Sequence, residues 1–192
     1  MPCGCHPSVI KTIGYKDYDI EIMYDEDPVS PREFQGNLGV FHCWHKGFNL
    51  GDKNYNFYKN HKDYDDSKLK SILRDAKRNN DLIYPLYIYE HSGVVLSLSP
   101  FSCPWDSGQV GYIIVNRQKV IKEYGKKILT KQIKERVFEQ VEGEIKVYNQ
   151  YLDGDVYGYN IIDKEDKDVD SCWGYYGQEE CVNGAKLIID NF

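Results

Sequence analysis

Apolar and polar residues alternate with period two over Tyr18–Tyr24 (YDIEIMY). Tyr18, Ile20, Ile22 and Tyr24 share one face, and Asp19, Glu21 and Met23 the other. This is the pattern of a half-buried strand. Residues 38–44 (LGVFHCW) predict a second strand, with Cys43 and His45 on one face and His42 and Trp44 on the other. The glycines and asparagine of residues 47–52 (GFNLGD) predict a turn after it. Leu82–Glu90, residues 94–99 and residues 109–115 predict three more strands. Pro85 lacks an N–H for the ladder, so it implies an edge or a bulge in the first of them. A two-residue loop at Ser92-Gly93 sets His91 opposite Val94 and Tyr89 opposite Leu96. Val156–Asp163 and residues 169–174 predict a hairpin around the charged turn 164–168.

The period changes to 3.6 elsewhere. Leu69, Ile72, Leu73 and Ala76 predict a helix over residues 67–78, capped by Asp66 or Ser67. Asn116 opens a short helix with Val120, Ile121 and Tyr124 inside, and Gly125 stops it. Ile133, Val137, Val141, Ile145, Tyr148 and Leu152 make one stripe along a helix over residues 130–152. Gly143 interrupts that helix, which predicts a close neighbour there. A last helix, residues 178–191, is expected to bury Cys181, Leu187 and Ile188. Hairpins rather than βαβ units connect the strands. The fold class is therefore α+β: a largely antiparallel sheet of about six to seven strands with about four helices packed on it. Residues 1–192 read as a single domain, with 1–14 an irregular N-terminal arm.

The composition is that of a globular chain, with 41% hydrophobic and 28% charged residues. No apolar run is long enough to span a membrane, and residues 1–11 lack the pattern of a secretory signal. A cytosolic location is expected, with the six cysteines as reduced thiols. The net charge of −6 is uneven. Residues 153–192 hold ten acids against three bases, whereas residues 116–152 hold nine bases against five acids. No Lys/Arg block is dense enough to predict direct nucleic-acid binding. Seventeen tyrosines suit half-buried strands or a binding face equally.

Residues 82–115 concentrate the specialised side chains. Cys103, His91 and Asp106 are candidate catalytic residues, as nucleophile, base and orienting group, with Glu90 the alternative for the last role. Along the hairpin, though, His91 and Cys103 stand about five residues apart, or about 15 Å. The other reading makes the loop structural, with Trp105 plugging the core and Asp106 capping a turn. Tyr87, Tyr89, Trp105 and Ser107 are candidate binding residues, as are Asp25, Glu26 and Asp27, three acids able to meet a cation or a basic partner. Backbone donors at Ser107-Gly108 and in 47–52 suggest a weak phosphate site. Cys3, Cys5 and His6 with Cys43 and His45 are candidate metal ligands, at a spacing that matches no standard zinc motif. No cofactor is expected.

The stretch SPFSCPWDSGQVGYIIV (99–115), preceded by YIYEHSG (87–93), resembles a signature of a family of tailed-phage and mobile-element proteins. Residues 30–52 are similar to that family's NPRDWDNLG…CxHxRYNLGD segment, and DGDVYGYNIID and DSCWGYYG resemble its C-terminal pair. The chain departs from the pattern at Phe34-Gln35-Gly36 and at Gly47-Phe48. The resemblance carries over no catalytic residues. It implies a phage-type accessory protein in the cytoplasm of a bacterial host. The expected function is binding to a host defence protein or nucleoprotein complex, as an anti-CRISPR or anti-restriction inhibitor. The alternative is a small Cys/His-dependent hydrolase or nucleotide-acting enzyme.

Overall fold

A computed structural model describes residues 8–53, 55, 58–59, 63–64 and 66–192. It is α+β with antiparallel pairing throughout. Among the described residues ten strands are present, more than the six to seven expected: eight divide between two four-stranded sheets instead of joining one larger sheet, and two form a separate pair. The chain forms two compact units, residues 1–30 with 150–192, and residues 31–149.

The first unit orders its strands β1 (Val9–Tyr15), β2 (Tyr18–Tyr24), β9 (Val156–Asp163) and β10 (Asp168–Tyr176). Residues 9–14, expected to be irregular, belong to an edge strand that pairs with β2 at Val9 and, after a register shift, from Lys11 to Tyr15. The alternation of β2 holds. Ile20 and Ile22 are fully buried with Tyr157, Tyr159 and Ile161 of β9. Helix α4 (Gln178–Ile189) covers that face. Its buried residues are Cys181, Ala185 and Ile189, four apart along one stripe. The expected Leu187 instead points outward and is 64% exposed, because it lies two positions beyond Ala185 on the opposite side of the helix. In the β9–β10 turn, Asp163 Oδ1 accepts the amides of Glu165 (2.8 Å) and Lys167 (3.0 Å). Those amides, that of Lys167 first, hold its carboxyl below the usual range.

The second unit orders its larger sheet β3 (Gly39–Cys43), β8 (Ser107–Val115), β6 (Leu82–Glu90) and β7 (Val94–Ser97). Two short strands, β4 (Tyr58–Lys59) and β5 (Asp63–Tyr64), pair with each other. The helices are α1 (Asp66–Arg78), α2 (Arg117–Glu123) and most of α3 (Lys131–Asp153). Asn116 caps α2 through Oδ1, which accepts the amides of Gln118 (3.0 Å) and Lys119 (3.1 Å). The α3 stripe Ile133, Val137, Val141, Ile145 and Tyr148 is buried as its spacing predicts. Gly143 is not a close-packing site, since a Cβ there would meet nothing within 4 Å.

Pro85 sits as its chemistry requires. Its strand pairs with β7 only from Tyr87 onward, and the register against β8 shifts between Leu86 and Tyr87. The hairpin register differs from expectation by one residue. Glu90 faces Val94 and Tyr89 faces Val95, so His91, Ser92 and Gly93 all lie in the loop. A three-residue loop puts Ile88 and Leu96 opposite each other, and both are buried. The two-residue alternative would turn one of these apolar sets outward. No helix among the described residues is long and apolar enough to cross a membrane.

Candidate functional site

Strand β8 begins at Ser107, earlier than expected, and pairs Ser107 with Tyr89 and Gly108 with Ile88. The preceding loop is thereby folded back onto the end of β6. The Glu90 amide donates to the Asp106 carbonyl at 2.7 Å. The Ser107 hydroxyl donates to the Cys103 carbonyl, closing the loop on itself. Phe101 packs against Tyr89 with ring centroids 5.6 Å apart. Tyr89 in turn stacks against His91 at 6.2 Å. Tyr89 is a half-buried part of this support, and Tyr87, also half-buried, sits in the ladder opposite Gln109 and Ser97.

Folding back overturns the separation expected along the extended hairpin. His91 Nδ1 lies 3.3 Å from Asp106 Oδ2, and the Cys103 thiol donates to that same oxygen at 3.6 Å. The three candidate catalytic residues therefore meet on one carboxylate. Their order is not that of a nucleophile–base–acid relay. Activating a cysteine calls for a histidine beside the sulfur. Here the group beside the sulfur is Asp106, and His91, 69% exposed, approaches Asp106 from elsewhere.

Trp105 does not plug the core. It is 91% exposed at the tip of the loop, between Pro104 and the anchored Asp106. The structural reading of the loop places it in the core, but the turn from Cys103 to Ser107 directs it outward. Ser107, a candidate binding residue, turns its hydroxyl inward to Cys103.

The neighbouring strand end adds a second histidine. His45 Nδ1 accepts the amides of Gly47 (3.1 Å) and Phe48 (3.0 Å), so its proton resides on Nε2 and is donated to Glu90 Oε1 at 2.8 Å. The weak phosphate site loses its donors here. The amides of Gly47 and Phe48 go to His45, that of Gly51 to the Tyr148 hydroxyl (3.0 Å), and that of Asp52 to the Phe41 carbonyl (3.1 Å). Ser107 and Gly108 lie within the ladder, opposite Tyr89 and Ile88.

Cys43 is enclosed, and burial pushes its thiol up. Cys3, Cys5 and His6 lie outside the described residues. In the first unit, Asp25 Oδ1 accepts the Asp27 amide at 3.1 Å, making the acidic loop a local turn, with Glu26 and Asp27 exposed. Among the described residues, no group of three or more His, Cys, Asp or Glu side chains is placed to hold a metal ion.

One buried cluster was not legible in the sequence. Arg32, with a side chain 3% exposed, bonds Asp52 with Nε (2.9 Å) and Nη2 (3.1 Å), and Glu144 with Nη1 (2.9 Å). Its guanidinium lies 3.8 Å over the Phe41 ring. Asp52 also accepts the Phe41 amide at 2.8 Å, and Glu144 the amides of Leu38 and Gly39. Residues 31–33 and 51–52 thus meet in a hydrogen-bonded knot of one cation and two carboxylates.

No family model, curated protein or solved structure matches the chain. The exposed loop and the division of charge between the units carry the functional reading. The charges divide with the units. The first holds sixteen acids and five bases, a net of −11, and the second fourteen acids and nineteen bases, a net of +5.

Proposed function

We propose that the chain is a binding protein: a phage-type accessory factor that inhibits a bacterial defence complex in the host cytoplasm. The 98–106 loop serves as its contact surface. The observation that carries this reading is Trp105, 91% exposed on a loop tied at both ends to the sheet. An exposed indole on a rigid support is what an interface anchor requires. It brings a large apolar area at little entropic cost, and tryptophan is enriched among residues that dominate binding energy. The −11 charge of the first unit suits a partner with a basic, nucleic-acid-binding face. The phage setting rests on the resemblance of residues 87–115 and 30–52.

A second reading, a Cys/His-dependent hydrolase, is favoured by the convergence of His91, Asp106 and Cys103. One assay separates the two. The chain and its variants are expressed in bacteria carrying a defined restriction or CRISPR system, and phage plating efficiency is measured. Trp105→Ala is expected to abolish protection while Cys103→Ala retains it. Loss with Cys103→Ala alone selects the enzyme. No protection against any system by the unaltered chain ends the inhibitor reading.

A further inference from the structure

The helices of the second unit gather cations that are dispersed along the chain. Lys77 lies in the last turn of α1, Arg117 begins α2, and Lys134 lies in the first turn of α3. These three line one open concavity of about 450 Å³, together with Leu82, Ile128 and Leu129. None of the three makes an ion pair among the described residues. Asp81 also lines it, with Oδ1 accepting the Arg117 amide at 2.8 Å and the Asn116 side chain at 3.3 Å. A second concavity, of about 420 Å³, adjoins the first through Leu82 and Lys134. Its walls are mainly apolar. Tyr84 and Phe138 meet there edge to face at 5.8 Å. Its cations, Lys131 and Lys134, are balanced by Glu135 and Glu139.

We infer that this double concavity is a docking groove for single-stranded nucleic acid. The cationic half takes backbone phosphates and the Tyr84–Phe138 half takes an unpaired base. Cations tracking a phosphate backbone beside an aromatic platform are the recurring means of holding a single strand. A duplex presents its bases stacked and covered, so it offers the aromatic half nothing. The sequence has no dense basic block. The groove exists because the ends of α1, α2 and α3 meet, and it is independent of the Trp105 loop.

The test is fluorescence anisotropy with labelled oligo-dT and oligo-U of about 20 nucleotides, and a duplex of equal length, against the full chain. Single strands are expected to bind better than the duplex. Three phosphate contacts predict a loss of roughly 20-fold between about 50 and about 200 mM salt. Lys77→Glu/Arg117→Glu/Lys134→Glu is expected to weaken binding at least tenfold, on the order expected for lost phosphate contacts. The neutral pair Lys77→Gln/Lys134→Gln does so in part should the triple variant fail to fold. Lys11→Glu, in the other unit, leaves binding unchanged. Whichever oligonucleotide binds more tightly identifies DNA or RNA as the source of the strand. Equal affinity for duplex, indifference to both sets of substitutions, or equal displacement by polyglutamate overturns the assignment. The last outcome reassigns the groove to an acidic protein surface.

Discussion

Arg32 grips Asp52 through two parallel N–H···O bonds, of 2.9 and 3.1 Å, in a site almost closed to solvent. The fork ties the start of the segment entering β3 to the turn that leaves it. Glu144 on α3 supplies the second carboxylate. Removing the cation leaves two largely buried carboxylates facing each other. Arg32→Met is therefore expected to lower unfolding free energy by about 3 to 5 kcal/mol. Arg32→Lys, which keeps the charge but cannot form the fork, costs roughly 1 to 3 kcal/mol. Chemical denaturation of the two variants checks the order, and equal losses would mean that the charge contributes nothing once the fork is gone.

His42 gives the second unit an acid sensitivity. It is 4% exposed, edge-on to Tyr55 at 4.4 Å, and burial lowers its pKa from 6.5 to about 4. Asp52 opposes that shift and Lys68 adds to it. Because the folded value lies below the unfolded one, the unfolded chain binds the extra proton between these pH values. Stability from this group is thus full above pH 6.5 and falls as pH drops toward 4, by roughly 3 kcal/mol. Thermal unfolding of the unaltered chain and of His42→Gln between these limits should show the slope flattened in the variant.

Glycine substitutions separate open from closed positions. Gly143→Ala sits in the interior of α3 with open space around it, so it is expected to stabilise by about 1 kcal/mol. Gly111→Ala puts a Cβ 2.4 Å from the His42 carbonyl, where backbone must move, and is expected to destabilise by roughly 2 kcal/mol or more. Calorimetric melting points of opposite sign relative to the parent are the expected result.

Thiol reactivity should follow burial. Cys172 is exposed and Cys103 half-buried, whereas Cys43 and Cys181 are enclosed. Burial raises the Cys181 thiol to about 12 and pushes Cys43 up as well. Timed alkylation at neutral pH, read by peptide mass mapping, is expected to label Cys172 before Cys103, and Cys43 and Cys181 only on unfolding. Labelling of Cys103 ahead of Cys172 would indicate an activated sulfur and favour the hydrolase reading.

Trp173 in β10 rests on Gly158 of β9, where an added Cβ would come within 2.1 Å of the indole. Gly158→Ala is therefore expected to lift Trp173 off the sheet and shift its fluorescence to the red. An unchanged emission maximum would place the indole elsewhere in solution.

Local pattern determined most element types; it missed the edge strand β1, whose order comes from pairing with β2. The period of two in Tyr18–Tyr24, the stripe from Ile133 to Tyr148, the Asn116 cap and the proline bulge all follow from interactions within a few residues. Those interactions operate wherever the segment sits. Tertiary structure alone decided how the strands divide between two sheets, the register at His91, and the outward turn of Trp105. It also decided the meeting of Arg32, Asp52 and Glu144. These depend on contacts between residues far apart in the chain. For such contacts no periodicity exists to read, because a charge on a polar helix face looks the same whether it meets water or a buried guanidinium. The 82–115 stretch shows both cases. Its strands were legible, but the approach of His91 and Cys103 to one carboxylate came from β8 starting at Ser107, and that start is fixed by pairing with Tyr89 across the sheet.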